Sequence, residues 1–258
     1  MLDELTAGAR ADAEARQERV SLARLDQLAE QSPHPHDALT ALAPIDHVRV
    51  IAEIKRASPS KGQLATIGSS ADLAAIYAEA GADAISVLTE ERRFGGSLDD
   101  LRAVRDNVAI PLLRKDFITT EYQILEARAY GADIVLLIVA AMSRAELIRL
   151  YAFAISLGLT VLVETHSPDE VRQSMDMGAR LVGVNARDLT TFDVNPRLFG
   201  EVRHLFNDGV IAVAESAVRD VDDVAAYRSA GADVVLVGES LVRSSNPEFL
   251  INQFREVR

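Results

Sequence analysis

Gly131-Ala132-Asp133-Ile134-Val135-Leu136-Leu137-Ile138-Val139 is the stretch of this sequence that decides the fold. From Ile134 the run is apolar at every position rather than at every second one. Such a run is typical of a parallel β-strand that is covered on both faces. A helical pattern precedes the Gly-Ala-Asp, so the glycine is predicted to lie in the C′ position, just beyond the end of a helix. The stretch therefore predicts one helix-to-strand junction.

The same junction recurs along the chain and sets the predicted architecture. Its four copies begin at Gly81, Gly131, Gly178 and Gly231, at intervals of 50, 47 and 53 residues. Eight strand-like runs are predicted, at 48–55, 84–89, 110–115, 133–139, 160–164, 181–185, 210–215 and 233–237. Eight alternating β/α units in 258 residues predict an α/β fold, a closed (β/α)8 TIM barrel. A doubly wound open sheet is the alternative, but no Gly-x-Gly-x-x-Gly follows the first run to support a dinucleotide site.

The chain is predicted to form a single domain, residues 1–258. Residues 47–258 make up the barrel proper, and residues 1–46 form an amino-terminal helical extension that packs on the barrel, across one of its ends. Two helical segments of this extension are followed by a break at Pro33-His34-Pro35. The first 31 residues carry seven acidic and four basic side chains, so a membrane-binding amphipathic helix is not expected.

The composition excludes several classes of function. The chain has no cysteine, which excludes disulfides, thiolate metal sites and a cysteine nucleophile. Its net charge of −12 argues against nucleic acid or an anionic membrane as a partner. A secretory signal and an 18-residue apolar run are both missing from the sequence, so a cytoplasmic location is expected. No metal site is expected, because His34-Pro35-His36 lies in a linker without partnering carboxylates.

Polar side chains end several of the apolar runs. They are Glu53, Lys55, Lys115, Glu164, Asn185, Glu215 and Ser216. Catalytic groups of TIM barrels lie at the carboxyl ends of the strands, and alternate strands contribute to one interior layer. Lys55, Lys115, Glu164 and Glu215 are therefore expected to converge. For any one of them alone, a strand-end ion pair is the simpler explanation, but burying several charges opposes folding, so the whole set favours catalysis.

Two loop regions are predicted to complete the site. The connection from Arg56 to about Ser70 is longer than the roughly two to six residues usual for such loops. Its core, Ser58-Pro59-Ser60-Lys61-Gly62, predicts a lid over an anionic ligand, with a tolerated surface insertion as the alternative. Glu215-Ser216-Ala217 and Gly238-Glu239-Ser240 follow the seventh and eighth runs, where barrels commonly bind phosphate through backbone N–H groups. His166 shares a strand face with Glu164, but a structural or exposed role is favoured for it.

These motifs resemble those of one known family. The run Val50-Ile51-Ala52-Glu53-Ile54-Lys55-Arg56-Ala57-Ser58-Pro59-Ser60-Lys61-Gly62 resembles the signature of the indole-3-glycerol phosphate synthase family. Further motifs follow in the family's order: Leu113-Arg114-Lys115-Asp116-Phe117, Leu162-Val163-Glu164, Val184-Asn185-Ala186-Arg187-Asp188-Leu189, Ala214-Glu215-Ser216 and Leu236-Val237-Gly238-Glu239-Ser240. The resemblance covers essentially the whole chain. It implies a lyase that cyclises, decarboxylates and dehydrates 1-(o-carboxyphenylamino)-1-deoxyribulose 5-phosphate to indole-3-glycerol phosphate by general acid/base catalysis, with no cofactor.

The resemblance also implies roles for individual residues. Lys115 is implied to be the general acid for ring closure and Glu164 the general base. Lys55, held beside Glu53, is implied to serve as a second acid in dehydration, as a phosphate contact, or as both. Asn185 would orient the substrate. The implied substrate- and phosphate-binding residues are Ser58, Lys61, Phe117, Arg187, Glu215, Ser216, Leu236, Gly238 and Glu239.

One position departs from the family's pattern. Glu-Ser-Gly usually follows the seventh strand, whereas this chain has Ala217 after Ser216. Alanine adopts a positive φ less easily than glycine, so phosphate binding is expected to weaken if φ is positive there and to be unaffected if it is negative.

Two other functions remain open at this stage. The first is another phosphate-binding barrel enzyme, either a sugar-phosphate isomerase or a Schiff-base aldolase that uses Lys55 or Lys115. The second is a catalytically silent barrel that serves as a binding or scaffold protein. The expected partner of the chain is a small phosphorylated substrate, with neither nucleic acid nor a membrane, and the expected state is a monomer, with a weak homodimer as the alternative.

Overall fold

Eight parallel strands close into a barrel in the computed structural model, which describes residues 1–59, 61–188 and 191–258. The strands are β1 (Arg49–Ile54), β2 (Ala84–Leu88), β3 (Leu112–Lys115), β4 (Ile134–Ile138), β5 (Thr160–Thr165), β6 (Leu181–Asn185), β7 (Ile211–Glu215) and β8 (Val234–Val237). Each strand pairs with its neighbours in the chain, and β8 closes the barrel against β1 with Val50 opposite Val235. The predicted TIM barrel is confirmed, and every strand ends within two residues of its predicted bounds.

Helices alternate with these strands and cover the outside of the barrel. They are α4 (Ser70–Glu79), α5 (Leu98–Arg105), α6 (Glu121–Ala129), α7 (Arg144–Ser156), α8 (Pro168–Asp176), α9 (Leu198–Val202), α10 (Val221–Ser229), α11 (Glu239–Arg243) and α12 (Pro247–Arg255). Short 3-10 turns follow β4 at Val139–Ala141 and α9 at Arg203–Leu205. Polar N-caps begin most of the helices, and Thr120 and Ser143 do so within capping boxes.

The four repeated glycines lie just beyond helix ends, as the sequence predicts. Their φ angles are 91° at Gly81, 89° at Gly131, 77° at Gly178 and 94° at Gly231. After α4, the Gly81 N–H donates to the Ala78 carbonyl and the Ala82 N–H to the Tyr77 carbonyl, both at 3.0 Å. This pairing is a Schellman motif, and its left-handed residue favours glycine.

Side-chain alternation along the strands separates the core into two layers. In β4, Val135 and Leu137 face the helices, whereas Leu136 and Ile138 belong to the buried cluster inside the barrel. The interior cluster also contains one residue from each of β1, β3, β5 and β7: Ile51, Leu113, Leu162 and Val213. Because side chains on one face of a strand recur at every second residue, the next interior positions are Glu53, Lys115, Glu164 and Glu215. The fold thus places these four residues directly above the apolar interior.

The amino-terminal extension contacts both ends of the barrel. Its helices are α1 (Leu2–Gln17), α2 (Leu22–Gln31) and α3 (Ala38–Ala41). Leu5 of α1 reaches the carboxyl end, and α2 packs along α6. Ala38 and Leu42 join the same cluster as the first residues of β2, β6, β7 and β8, at the amino end. The sequence predicted contact at one end, because the pattern of a helix does not reveal which surface it covers.

Among the described residues, no helix combines the length and apolar content needed to cross a bilayer.

Candidate active site

A cavity of about 650 Å³ opens at the carboxyl end of the barrel. Every residue that the sequence predicts for the site lines it: Glu53, Lys55, Ser58, Lys61, Lys115, Phe117, Glu164, Asn185, Arg187, Glu215, Ser216, Leu236, Gly238 and Glu239. The carboxyl ends of parallel barrel strands all meet at one rim, and this explains why positions so distant in sequence come together. Their chemical roles depend on how they are paired.

Lys115 lies at the centre of a buried ion cluster. Its Nζ is 2.8 Å from Oε2 of Glu164 and 3.3 Å from Oε2 of Glu215. The Lys115 side chain is 14% exposed, whereas the two carboxylates are almost fully buried. One ammonium thus faces two carboxylates, with its remaining surface directed to the cavity.

A chain of polar side chains extends from Glu164 toward the loops. Asn185 Nδ2 donates to Glu164 Oε1 at 3.1 Å. Asn185 Oδ1 in turn accepts from Ser216 Oγ at 2.7 Å and from the Arg187 N–H at 3.0 Å. Because its two ends are bonded to different partners, the Asn185 amide holds the Glu164 carboxylate in one orientation.

The cluster shifts the protonation of its members in different directions. Burial by itself would lower the pKa of Lys115, but the carboxylates of Glu164, Glu215 and Glu53 outweigh it and raise that pKa above its usual range. Burial would raise the pKa of Glu164, yet Lys115 and His166 hold it well below its usual range. At Glu215, burial and the neighbouring Glu164 raise the pKa. Two like charges this close do not ionise together easily, so Glu164 is the charged member and Glu215 the one that retains a proton.

Lys55 does not join this cluster. Its Nζ lies 2.5 Å from Oε1 of Glu53, so of the four converging charges expected from the sequence, the structure brings three together. Gly238 packs on the same carboxylate, since a Cβ built there would lie 2.5 Å from Glu53 Oε1. The small size of Gly238 therefore leaves room for the Glu53 carboxylate, a reason that sequence analysis did not supply.

Gly183 is a functional position that sequence analysis missed. It lies in the middle of β6, and a Cβ built on it would lie 2.0 Å from Oε1 of Glu215. No rearrangement of the strand alone could relieve such a contact, because the strand is hydrogen-bonded on both sides. A glycine inside an otherwise apolar strand is the signal that would have indicated a close approach.

An apolar wall lines the other side of the cavity. Phe94 and Phe117 pack with ring centroids 6.1 Å apart, and Leu5 reaches the same cavity from α1. Sequence analysis predicted Phe117 but not Phe94 or Leu5. Leu5 belongs to an ordinary helical apolar stripe, and Phe94 lies in a loop, so neither carried a local signal.

The start of α11, after β8, meets a basic side chain from the β1–α4 connection. Lys61 Nζ lies 2.6 Å from Glu239 Oε1, which joins the β1–α4 connection to the start of α11. Ser216 and Ala217 both have positive φ angles, 68° and 58°. Ala217 therefore has the positive φ at which alanine is strained and weaker phosphate binding is expected.

The β1–α4 connection, predicted to be a lid, contains a short antiparallel hairpin. Ala57–Ser58 pairs with Gly62–Gln63, and Arg56 at its base binds both carboxylate oxygens of Asp100 at 2.8 Å. Ser60 of the predicted lid and Leu189 of the β6–α9 motif lie outside the described residues. Opening and closing of the lid stays a prediction.

Comparison with known proteins gives the relationships of the chain. The sequence model of a family described as indole-3-glycerol phosphate synthase matches residues 2–254. A protein of that name from Leifsonia xyli subsp. xyli is 54% identical over 257 residues, covering 100% of this chain and 98% of the relative. A protein of that name from Parafrankia sp. is 55% identical over 247 residues, covering 95% of this chain and 91% of the relative.

Two solved structures share the fold at low sequence identity. A 3-hexulose-6-phosphate synthase superposes with a TM-score of 0.62 at 18% identity, covering 81% of this chain and 99% of the other. A thiamine phosphate pyrophosphorylase from Pyrococcus furiosus has a TM-score of 0.60 at 14% identity, covering 81% and 94%. At such identities the likeness concerns the barrel alone.

Proposed function

This chain belongs to the indole-3-glycerol phosphate synthase family, and on that premise we propose how its side chains divide the reaction. The enzyme is a carboxy-lyase of tryptophan biosynthesis that converts 1-(o-carboxyphenylamino)-1-deoxyribulose 5-phosphate into indole-3-glycerol phosphate, carbon dioxide and water. The observation that carries the division of labour is the Lys115 ammonium, held between Glu164 and Glu215 at the cavity.

We assign ring closure to Lys115. The new bond joins the ring carbon that bears the carboxyl group to the ketone carbon, and the ketone oxygen then needs a proton. The Lys115 ammonium donates it, and the nearby carboxylates keep this group charged until the substrate arrives. Carbon dioxide then leaves from the ring carbon, and the electrons of the broken bond restore the aromatic ring.

We assign proton removal during dehydration to Glu164. A base must be ionised when it acts, and Glu164 is the carboxylate of the pair whose pKa is lowered. The Asn185 amide fixes one of its oxygens, and Lys115 lies on the other. The acid and base therefore lie within contact of one another, so both reach neighbouring atoms of one substrate.

Lys55 has two candidate roles that kinetics can separate. Its ion pair with Glu53 places an ammonium on the cavity wall beside Gly238. If Lys55 supplies the proton for the departing hydroxyl, its loss lowers kcat. If it contacts the phosphate instead, its loss raises KM with kcat unchanged.

We place the phosphate at Ser216, Gly238 and Glu239 and the aromatic ring at Phe117. The basic side chains described on the cavity lining are Lys55, Lys61, Lys115, Arg187, Arg219 and Arg243, against the acidic Glu53, Asp116, Glu164, Glu215 and Glu239. The lining thus carries more basic than acidic groups although the chain has a net charge of −12. A locally positive cavity attracts an anionic sugar phosphate to an otherwise acidic protein.

The test is to supply the carboxyphenylamino-deoxyribulose phosphate and follow the fluorescence of the indole product. We expect turnover by the folded protein without any added cofactor. Folded protein that forms no indole product would refute the assignment. Trapping of a lysine adduct by borohydride would point instead to a Schiff-base aldolase.

We also propose that residues 1–258 form one folding unit, located in the cytoplasm and monomeric in solution. The contacts of the extension with both ends of the barrel support a single unit. Light scattering should give a mass close to 28.0 kDa, and a concentration-dependent rise toward twice that mass would favour the weak dimer.

A further inference from the structure

His166 lies directly behind the proposed general base. It is the first residue after β5, and its side chain is 11% exposed. Nε2 is 3.2 Å from Oε1 of Glu164, and Nδ1 is 3.5 Å from Oε2 of Glu170 in the first turn of α8. The imidazole is therefore enclosed between two carboxylates from consecutive elements.

The contacts of His166 are between charges rather than aligned hydrogen bonds. Within the described part of the chain, neither ring nitrogen meets hydrogen-bond geometry with a partner. The charged groups that face the ring are Glu164 on β5 and Glu170 on α8, and Lys115 on β3 and Glu215 on β7 lie beyond Glu164. Burial alone would keep the ring neutral, but the two facing carboxylates raise the pKa of His166 to about 10. The ring is thus an imidazolium at neutral pH.

Glu170 is itself fixed, so it holds the ring in place. Its Oε2 accepts from the backbone N–H of His166 at 2.8 Å, and its own N–H donates to Ser167 Oγ at 3.3 Å, at the cap of α8. Its Oε1 also accepts from Ser167 Oγ at 3.2 Å, so the carboxylate cannot swing away from His166 without breaking both of these hydrogen bonds.

The two carboxylates on Lys115 have unequal surroundings. Glu164 has Lys115 on one oxygen, and Asn185 and His166 on the other. Glu215 shares Lys115, but among the described residues its Oε1 is buried without a hydrogen-bond partner. A cation on the Glu164 side alone makes the pair asymmetric, and this decides which member is ionised.

We propose that His166, as an imidazolium held between Glu164 and Glu170, is a positioning residue that keeps the general base ionised and assigns the proton of the Glu164–Glu215 pair to Glu215. His166 is not on the cavity lining, so it acts through Glu164 rather than on the substrate. The inference rests on the proposed role of Glu164 as the base.

The test compares the pH dependence of kcat/KM in two variants at this position. His166→Gln removes the positive charge, and His166→Lys retains it. An opposite charge at this distance lowers a carboxyl pKa by about one unit or more. We therefore expect the acid limb of the profile to move up by about one pH unit in His166→Gln and to stay near its wild-type position in His166→Lys. His204→Gln, at an exposed histidine in the 3-10 turn after α9, is the matched control and should leave the limb in place.

Two results would overturn the proposal. One is an acid limb that does not move in His166→Gln, and the other is an equal movement in both variants, since a purely structural role does not depend on charge.

A second measurement uses the wild-type protein and therefore does not depend on the folding of the variants. It also distinguishes a failure of the His166 proposal from a failure of the proposed synthase function. The ring nitrogen shifts of His166 in the wild-type protein, followed by NMR between pH 6 and 9, should remain those of an imidazolium. A neutral ring at pH 7 would contradict this inference even if the synthase assay succeeds. Conversely, a wild-type protein that forms no indole product while its His166 stays charged would refute the proposed function alone.

Discussion

Both ends of the barrel bury carboxylates, but their partners differ. At the amino end, Asp83 accepts the Val50 N–H at 2.8 Å, and Asp133 accepts the Leu112 N–H at 2.7 Å. In each case the acceptor precedes one strand and the donor belongs to the strand before it. These aspartates therefore fasten the backbones of neighbouring β/α units to each other.

At the carboxyl end, the partners of Glu164 among the described residues are side chains. They are Lys115, Asn185 and His166, and all three can reorient or exchange a proton without breaking a strand. Glu215 even has an oxygen without a partner among the described residues. A buried carboxylate bonded to the backbone thus serves the fold, whereas one that faces movable side chains and a cavity serves chemistry.

The largest expected effect at the carboxyl end is that of Lys115→Ala. Loss of the general acid should lower kcat by about 10²-fold or more, while the fold is retained. Fluorescence of the indole product measures kcat, and the unfolding free energy shows whether the fold is retained. Arg172→Ala, at an exposed arginine on α8, is the control and should keep wild-type turnover. Wild-type turnover in Lys115→Ala would show that the charged cluster at the carboxyl end is not catalytic.

Gly183→Ala tests how tightly the carboxyl end is packed around its charges. The added methyl group overlaps Glu215 Oε1, so Glu215 must move away from Lys115. We expect kcat/KM to fall about 10-fold or more and stability to fall by about 1–3 kcal/mol. Gly200→Ala is the matched control, because its methyl group would meet Ala230 at an ordinary 3.5 Å. Equal changes of kcat/KM and stability in the two variants would show that the Glu215 side chain can move without losing its contact with Lys115.

The pH dependence of stability should originate at the carboxyl end. The pKa of His166 rises from 6.5 to about 10 on folding, so its stabilising contribution is complete below pH 6.5 and is lost as the pH rises through 10. The unfolding free energy should fall across this window, by at most about 1.4 kcal/mol per pH unit for one proton. Denaturant titrations at several pH values measure the slope. The same slope in His166→Gln would show that another group causes it.

The smallest expected effect concerns backbone strain in the loop after β7. Ala217 has a φ of 58°, a conformation that costs alanine about 1–2 kcal/mol. Glycine relieves this strain, but its more flexible unfolded state offsets part of the gain in stability. Ala217→Gly should therefore raise stability by up to about 1 kcal/mol and lower KM if the strain hinders phosphate binding. Ala230→Gly, where φ is −79°, is the control and should be destabilising. A stability loss in both would mean that Ala217 is not strained.

The parts of the molecule that follow from local pattern were predictable from the sequence. Fully apolar runs identified the eight strands, and the polar residues that end those runs identified most of the site. The recurring glycines identified helix ends, because their role depends only on local backbone conformation. In Gly178-Ala179-Arg180 the glycine still ends a helix although the aspartate of the other copies is replaced.

The parts that depend on long-range packing were not predictable. Phe94 and Leu5 line the cavity only because distant elements bring them there. The same holds for the contact of His166 with Glu164. It also holds for Asp83 and Asp133, whose backbone partners Val50 and Leu112 lie 33 and 21 residues earlier in the chain. The positive φ of Ala217 was not predictable either, because it is set by the conformation of the whole loop after β7 and not by the residue type at one position.

Glu164→Gln and Asp133→Asn, measured side by side, separate the catalytic role of the carboxyl end from the structural role of the amino end. Both replace a buried carboxylate by an amide of the same shape, one at each end. Glu164→Gln should lower kcat per folded molecule by about 10²-fold or more, because an amide cannot accept the proton. Asp133→Asn should cost about 1–3 kcal/mol of stability, since its carboxylate accepts from His36, Leu112 and Arg105, while kcat per folded molecule stays near wild type. Near-normal turnover in Glu164→Gln, or an equal loss of turnover in Asp133→Asn, would show that the two ends do not divide catalysis and stability in this way.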